Sequence, residues 1–201
     1  MTGKKGFSIL LAVFIIVFCC PDVYAAARKV KDGFRTARTM HSRHFDIEIE
    51  SGVDLANLTM ALSVPPSIRS IIRESTSFAD SFTLPNELDV LYLAVSEIMD
   101  IHLGKYKLKV KICKDAESLS RVAELLYGQK VQVGGFYVLQ IDTLYVDAEN
   151  VTLNILGHEL SHAIQCTYFV VPPPVKIQEV LAGYVEFQLR KYSDTLKELK
   201  R

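Results

Sequence analysis

The sequence predicts a single α+β domain. Segments with the alternating pattern of strands come first, a short hairpin follows, and two helical segments complete the chain, an order typical of helices packed on a small twisted sheet. The composition agrees, because 49% of the 201 residues are apolar and the 23 acidic residues balance the 23 basic ones. This neutral balance gives no reason to expect nucleic acid or an acidic membrane surface as a partner. No linker, charge block or internal repeat divides the chain.

The first 25 residues have the parts of a secretory signal peptide. Lys4 and Lys5 precede an apolar run over residues 7–20, and a small-residue stretch ends at Ala25, after which we expect cleavage. The run is shorter than the roughly 20 apolar residues of a membrane span, so the mature chain is expected to have none. These features predict an exported protein, periplasmic or secreted, with an uncleaved N-terminal anchor as the alternative.

Export leaves two cysteines in the mature chain, Cys113 and Cys166. An oxidising compartment permits a disulfide between them. Their spacing alone does not show that they meet, so two separate thiols are an equal alternative.

The folded part is predicted to begin at residue 44. Residues 26–43 are basic and polar and are expected to form a flexible arm, which leaves 44–201 as the domain. From His44 to Glu50 apolar and polar residues alternate, which predicts a strand. Apolar residues at helical spacing over 53–62 predict a short helix.

Prolines frame the next helix. Pro65 and Pro66 break the chain, and Thr83 with Pro85 then forms a helix start, because proline suits the first helical turn. The apolar face that follows is expected to contain Leu84, Leu88, Leu91, Val95 and Ile98.

The middle of the chain returns to strands. Residues 106–112 alternate apolar residues with lysines, which indicates a half-exposed strand. Residues 115–127 have a helical pattern with an inward face of Leu119, Val122, Leu125 and Leu126. A glycine pair then precedes two β-rich runs, 136–141 and 143–146, which are close enough to form a hairpin.

Two helices complete the domain. Apolar residues at helical spacing from Val151 to about Gln165 predict the first, which the proline run at 172–174 ends. The second begins near Val175, and its charged tail from Ser193 is expected to be solvated.

The sequence His-Glu-Leu-Ser-His lies in the middle of the first of these helices, at residues 158–162. Residues four apart share one face of a helix, so the imidazoles of His158 and His162 can bind one ion. Glu159 lies beside that ion and can take a proton from a metal-bound water. The motif therefore predicts one zinc ion per chain, with Glu159 as the catalytic base.

A third ligand has to come from elsewhere, because a catalytic zinc usually takes three protein ligands and leaves one position open. No histidine follows His162, so the candidates are the later acidic residues. Glu179 is the first choice, since it comes just after the proline turn that could fold the last helix back across the first. Glu186, two turns further on the same face, is the second choice.

These residues resemble the gluzincin class of zinc metallopeptidases. His158, Glu159 and His162 match its His-Glu-x-x-His motif, and the Glu-Val-Leu-Ala run that begins at Glu179 looks like its Glu-x-x-Ala helix. The order of elements is similar to that of small secreted or membrane-attached peptidase-MA-like proteins. The resemblance implies a zincin-like fold, with a small mixed sheet, an active-site helix and a C-terminal glutamate helix. It also implies a hydrolase in which His158, His162 and Glu179 bind Zn²⁺ and Glu159 activates water for attack on a peptide carbonyl.

The resemblance further implies where a peptide or protein substrate binds. The strand before the active-site helix, with Leu144, Tyr145 and Val146, would be the edge strand that holds an extended peptide. One position departs from the class: Gly183 stands where relatives often have an acidic residue that supports a zinc histidine. Weaker zinc binding or a substitute partner is therefore expected.

The small size of the domain predicts a shallow site that selects substrates weakly or relies on a partner protein. The alternative function is an exported binding or scaffold protein, without catalysis, on the same zinc-binding fold. A third possibility is a latent enzyme whose cleft is covered by the arm at 26–43 or by the charged tail.

Overall fold

The structure, a computed structural model, describes residues 31–72 and 82–198. The predicted signal peptide at 1–25 lies outside these residues. The described chain contains one mixed sheet of five strands and six α-helices, which confirms the mixed helix and sheet class. The strands are β1 (Arg38–His41), β2 (Phe45–Ile49), β3 (Leu108–Cys113), β4 (Gly135–Val138) and β5 (Thr143–Asp147).

The helices follow the pattern of apolar residues closely. They are α1 (Leu55–Ala61), α2 (Pro66–Arg69), α3 (Leu84–Met99), α4 (Ala116–Tyr127), α5 (Leu153–Tyr168) and α6 (Val175–Glu198). Asp115 caps α4 by accepting a hydrogen bond from the Ser118 N–H at 2.8 Å, and Gly128 ends it in the left-handed conformation. Thr152 caps α5 through the Ile155 N–H at 3.3 Å. Among the described helices, none is long and apolar enough to cross a bilayer.

The sheet has the strand order β1-β2-β3-β5-β4. β2, β3 and β5 are parallel, while β1 and β4 pair antiparallel at the two edges. One face of the sheet packs in the main core with α3, α5 and α6, and the other face packs against α4. Helix α5, which contains the His-Glu-x-x-His sequence, therefore lies over the main core, beside the edge formed by β4.

The predicted edge strand is wrong. Leu144, Tyr145 and Val146 belong to β5, which lies between β3 and β4, and their side chains are buried. β4 is the edge strand next to α5. Alternation identifies both arms of a hairpin but does not say which arm pairs with the rest of the sheet, because that depends on the parallel pairing of β3 with β5.

The predicted flexible arm is wrong over residues 38–41, which form β1 and pair with β2. The segment before β1 is also held in place. Asp32 is 7% exposed and accepts hydrogen bonds from Lys111 and, at 2.6 Å, from the Tyr145 hydroxyl. Burial opposes ionisation, but these bonds outweigh it and lower the pKa of Asp32. Backbone pairing, a buried ion pair and the packing of Phe34 against the α4 side of the sheet order this segment.

Cys113 and Cys166 remain thiols. Cys113 packs on the α4 face of the sheet, whereas Cys166 lies on α5, over the opposite face. The sheet therefore separates the two sulfur atoms. Leu125, which was expected to face inward on α4, is 62% exposed.

Replacing Asp32 with alanine should destabilise the fold measurably. Lys111, whose side chain is 14% exposed, loses its closest carboxylate, so we expect the free energy of unfolding to fall by about 2 kcal/mol. The matched control is Asp46→Ala on the same sheet, where the carboxylate is 44% exposed and the expected loss is below about 1 kcal/mol. Urea unfolding measures the two losses in free energy. Equal losses would contradict a stabilising role for the buried pair of Asp32 and Lys111.

Candidate metal centre

Helix α5, which contains His158 and His162, is anchored in the core of the domain. Its inner face packs in the main core through Leu156, Leu160, Ala163 and Ile164. Gly157 allows α6 to approach closely, because a Cβ there would lie 2.2 Å from Leu189 Cδ1. This close approach brings the first turns of α6 alongside His158 and His162.

The structure brings His158, His162 and Glu179 together. Each offers a ligand atom, and the three atoms lie within 4.8 Å of one another. His158 Nε2 lies 3.6 Å from Glu179 Oε2, and His162 Nε2 lies 3.5 Å from Glu179 Oε1. The two imidazole rings are 5.0 Å apart, centroid to centroid.

These distances fit a tetrahedral zinc ion better than hydrogen bonds. Two ligands about 2.1 Å from one tetrahedral ion are about 3.4 Å apart, whereas an N–H···O hydrogen bond is normally shorter than about 3.2 Å. His158 Nε2, His162 Nε2 and Glu179 Oε1 are buried, and they have no hydrogen-bond partner among the described residues. Buried polar atoms are normally satisfied, so three such atoms facing one point suit a bound cation.

His162 and Glu179 have the protonation states that a metal requires, whereas His158 would have to give up a proton to bind one. Burial, with help from the charge of His158, lowers the pKa of His162 to about 4, so its imidazole is neutral at pH 7. Burial works against ionisation of Glu179, but the two histidines lower its pKa below the ordinary value. For His158 burial favours the neutral ring, yet the surrounding carboxylates outweigh it and raise the pKa.

Each histidine has a further polar partner on α6. His158 Nδ1 lies 3.6 Å from Glu186 Oε2, so Glu186 faces the ring nitrogen opposite the proposed ligand atom. Gly183, in contrast, has nothing within 4 Å of its Cβ position. Glu186 is therefore placed as the substitute partner for His158 rather than as a third ligand.

The side chain of Gln178, the residue before Glu179, lies near His162 and acts to raise the pKa of its imidazole. The Gln178 side chain is buried, and its amide donates to the Pro173 carbonyl at 2.7 Å. Partners of this kind orient metal-binding rings and tune their basicity. Sequence patterns do not point to Gln178, because a single glutamine in a helix looks like a surface residue. Its position directly before Glu179 is the one sign that the sequence offers.

Glu159 lies in a closed environment beside the edge strand. It is 3% exposed, and its Oε2 accepts a hydrogen bond from the Tyr137 N–H of β4 at 3.0 Å. Burial raises its pKa to about 7, despite the opposing effects of His158 and of the Tyr137 N–H. A carboxyl group with a pKa near 7 can act as either base or acid at neutral pH.

A pair of tyrosines fixes β4 at this position. Asp142 lies in the left-handed conformation in the turn between β4 and β5, with φ of 45°. Its Oδ1 accepts hydrogen bonds from the hydroxyls of Tyr137 at 2.8 Å and Tyr106 at 2.7 Å. Burial raises the pKa of Tyr137, so its hydroxyl remains a donor. Tyr137 therefore fixes β4 at two points: its N–H contacts Glu159, and its hydroxyl contacts Asp142.

Comparisons of the chain with models of known protein families, with curated proteins and with solved structures find no match.

The raised pKa of Glu159 predicts a pH-dependent stability of the metal-free protein. The folded state binds more protons than the unfolded state between the ordinary pKa of 4.5 and about 7, so stability falls as pH rises through this interval. Glu159→Gln removes this effect. With the metal chelated, we expect the variant to be more stable than the wild type at pH 8, by on the order of 3 kcal/mol.

Urea unfolding at pH 8 and at pH 4.5 measures this difference. It should shrink towards zero at the lower pH, where the wild-type carboxyl is protonated in the folded state. A difference that is the same at both pH values would show that Glu159 does not titrate in the expected range.

Proposed function

We propose that this protein is an exported zinc metallopeptidase of gluzincin type, on a zincin-like fold, that hydrolyses peptide bonds with a metal-activated water. The observation that carries the proposal is the group of three buried atoms without hydrogen-bond partners among the described residues, from His158, His162 and Glu179. Their spacing suits one tetrahedral ion, and a buried carboxyl, Glu159, stands beside them.

The residues of the site have separate roles in this proposal. His158 and His162 would hold the ion through Nε2, and Glu179 would hold it through its carboxylate. The zinc ion, when bound, supplies a Lewis acid that polarises a carbonyl and acidifies water to a pKa of about 7. Glu159 would take a proton from the water as its oxygen bonds to the peptide carbonyl carbon, and would give that proton to the amine as the C–N bond breaks. The Tyr137 N–H keeps its carboxylate oriented during both transfers.

An extended peptide would lie along β4 rather than along β5. β4 is the edge strand, and one of its N–H groups contacts the proposed base. A peptide that adds to this edge is bound through its main chain, so its carbonyl groups are presented in a regular row beside Glu159. This arrangement supports broad recognition of unfolded polypeptide.

The buried Glu159 favours an enzyme over the non-catalytic alternative. A binding or scaffold protein needs only the three ligands to hold the metal. A fully buried ionisable carboxyl lowers the stability of the metal-free fold at neutral pH, and such residues are concentrated at catalytic sites. A catalytic role for Glu159 would explain why the fold contains a buried carboxyl that lowers its stability.

Zinc retention tests the assignment of the ligands. The chain from Ala26 should bind one zinc per molecule. Glu179→Ala should lose most of the affinity because it removes a direct ligand, whereas Glu186→Ala should weaken binding by about tenfold to a hundredfold through loss of a partner of His158. Competition with a zinc chelator measures the affinities. Glu117→Ala on α4, which is 85% exposed, is the control. Zinc loss in Glu186→Ala but not in Glu179→Ala would reverse the assignment.

Cleavage of an unstructured protein tests the catalytic role. Glu159→Gln should keep its zinc and lose about a hundredfold to ten-thousandfold in rate, because only proton transfer is removed. Fragment appearance on a gel, followed over time, measures the rate. Zinc-loaded wild type that cleaves no member of a broad substrate panel would favour the binding or scaffold protein instead.

A further inference from the structure

Helix α6 has a second apolar face that the fold leaves uncovered. Its inner face is completed by Ala182, Val185 and Leu189, which are fully buried. On the outside, four large apolar side chains recur at helical spacing and are 48–62% exposed: Ile177, Val180, Tyr184 and Phe187. When a helix is apolar on two opposite sides and one side packs in the core, the other side normally contacts a partner or a membrane.

Cations flank this outer face at both ends. Lys176 lies before it, and Arg190 and Lys191 lie after it; all three are exposed. The carboxylates of Glu179 and Glu186 are turned towards the histidines, and Glu186 also pairs with Arg190 at 2.5 Å. The two carboxylates between Val175 and Ser193 are 31% and 35% exposed, and both lie on the side of α6 that faces the histidines.

The turn before α6 extends the same surface. Residues 167–175 contain no charge. Tyr168 and Phe169 are 52% and 36% exposed, while Val170 and Val171 are 95% and 79% exposed. Three prolines follow and hold the backbone in a restricted conformation, so the valines project from the domain at little conformational cost.

We propose that the outer face of α6 and the turn at 168–171 dock onto an anionic lipid surface. Aromatic and aliphatic residues between flanking cations are typical of a helix that lies in the membrane interface, with the cations against the headgroups. The part of the chain outside the described residues agrees with this environment, because residues 7–20 are an apolar run preceded by Lys4 and Lys5. Cleaved or retained, that run brings the protein to a membrane.

Lipid fits this surface better than a second protein does. The lysines and the arginine complement an anionic bilayer, and the projecting valines suit insertion between lipids rather than a flat contact. The helical spacing of the stripe would also suit another helix, so self-association is a distinct outcome of the test. Docking does not depend on the proposed function. The consequence of docking does rest on the proposed function. Because Glu179 lies on the same helix, the peptidase site would act on polypeptides at the membrane surface.

Vesicle binding tests the docking surface. The chain from Ala26 keeps every residue that the structure describes, so apolar residues 7–20 cannot cause binding. It should co-sediment with vesicles of phosphatidylcholine and phosphatidylglycerol, in a ratio of roughly 7:3, and bind pure phosphatidylcholine more weakly. Val170→Asp and Phe187→Asp should each weaken binding by at least about tenfold. Lys176→Gln should weaken it by about fivefold, on the anionic vesicles only.

Leu125→Asp is the matched control, because Leu125 is also an exposed apolar residue but lies on α4, over the opposite face of the sheet. It should bind vesicles as the wild type does. Circular dichroism verifies that all variants are folded, and zinc content verifies that the aspartate and glutamine variants keep an intact metal site. His158→Ala should lose zinc and still bind vesicles, so failure of the metal site is distinguishable from failure of docking.

Two results would overturn the proposal. One is a wild-type chain that does not bind anionic vesicles, or that binds them equally with and without the aspartates. The other is a dimer that forms at micromolar concentration, is lost in Val170→Asp and Phe187→Asp, and has no affinity for vesicles. That result would assign the surface to a second copy of the chain.

Discussion

The close packing of α5 against α6 is the contact on which the rest of the structure depends. Gly157, next to the first histidine, leaves space for Leu189, and this allows Glu179 on α6 to reach both imidazoles on α5. Without that approach Glu179 would not lie beside the two histidines, and the proposed metal site would lack its third ligand. The sheet and α3 support the pair from beneath, so that the site lies on elements anchored in the core. Rigid support of this kind is needed to hold ligands at fixed separations.

Local pattern was enough to predict most elements, because α3, α4, α5 and α6 have regular apolar faces and clear start or stop residues. It was also enough to nominate Glu179. It failed where long-range pairing decides the outcome. The edge position of β4 depends on which strand pairs with β3. The fixed position of the segment around Asp32 depends on Lys111 and Tyr145, which lie far away in the chain. Gln178 was missed for the same reason, since its role appears only when α6 folds back on α5.

Charge is distributed unevenly in this neutral chain. Glu159, Glu179 and Glu186 gather around the two histidines, while the exposed side of α6 presents Lys176, Arg190 and Lys191. The neutral net charge of the chain gave no reason to expect an acidic membrane surface as a partner, whereas the surface of α6 favours one. The two differ because local charge, rather than net charge, governs contacts within a Debye length of about 10 Å. A single helix thus has three separate surfaces: one packs in the core, one belongs to the proposed metal site and one to the proposed lipid contact.

The most direct test of the account is X-ray absorption at the zinc edge, on the zinc-loaded chain from Ala26. Two imidazole nitrogens and a carboxylate are expected, with all nearest ligands being nitrogen or oxygen at about 2.0–2.2 Å in four-coordinate geometry. Glu179→Ala should alter the oxygen shell and leave both imidazoles in place. A sulfur ligand at about 2.3 Å, which Cys166 could supply, or a spectrum with fewer than two imidazoles, would contradict the ligand set on which the proposed peptidase depends.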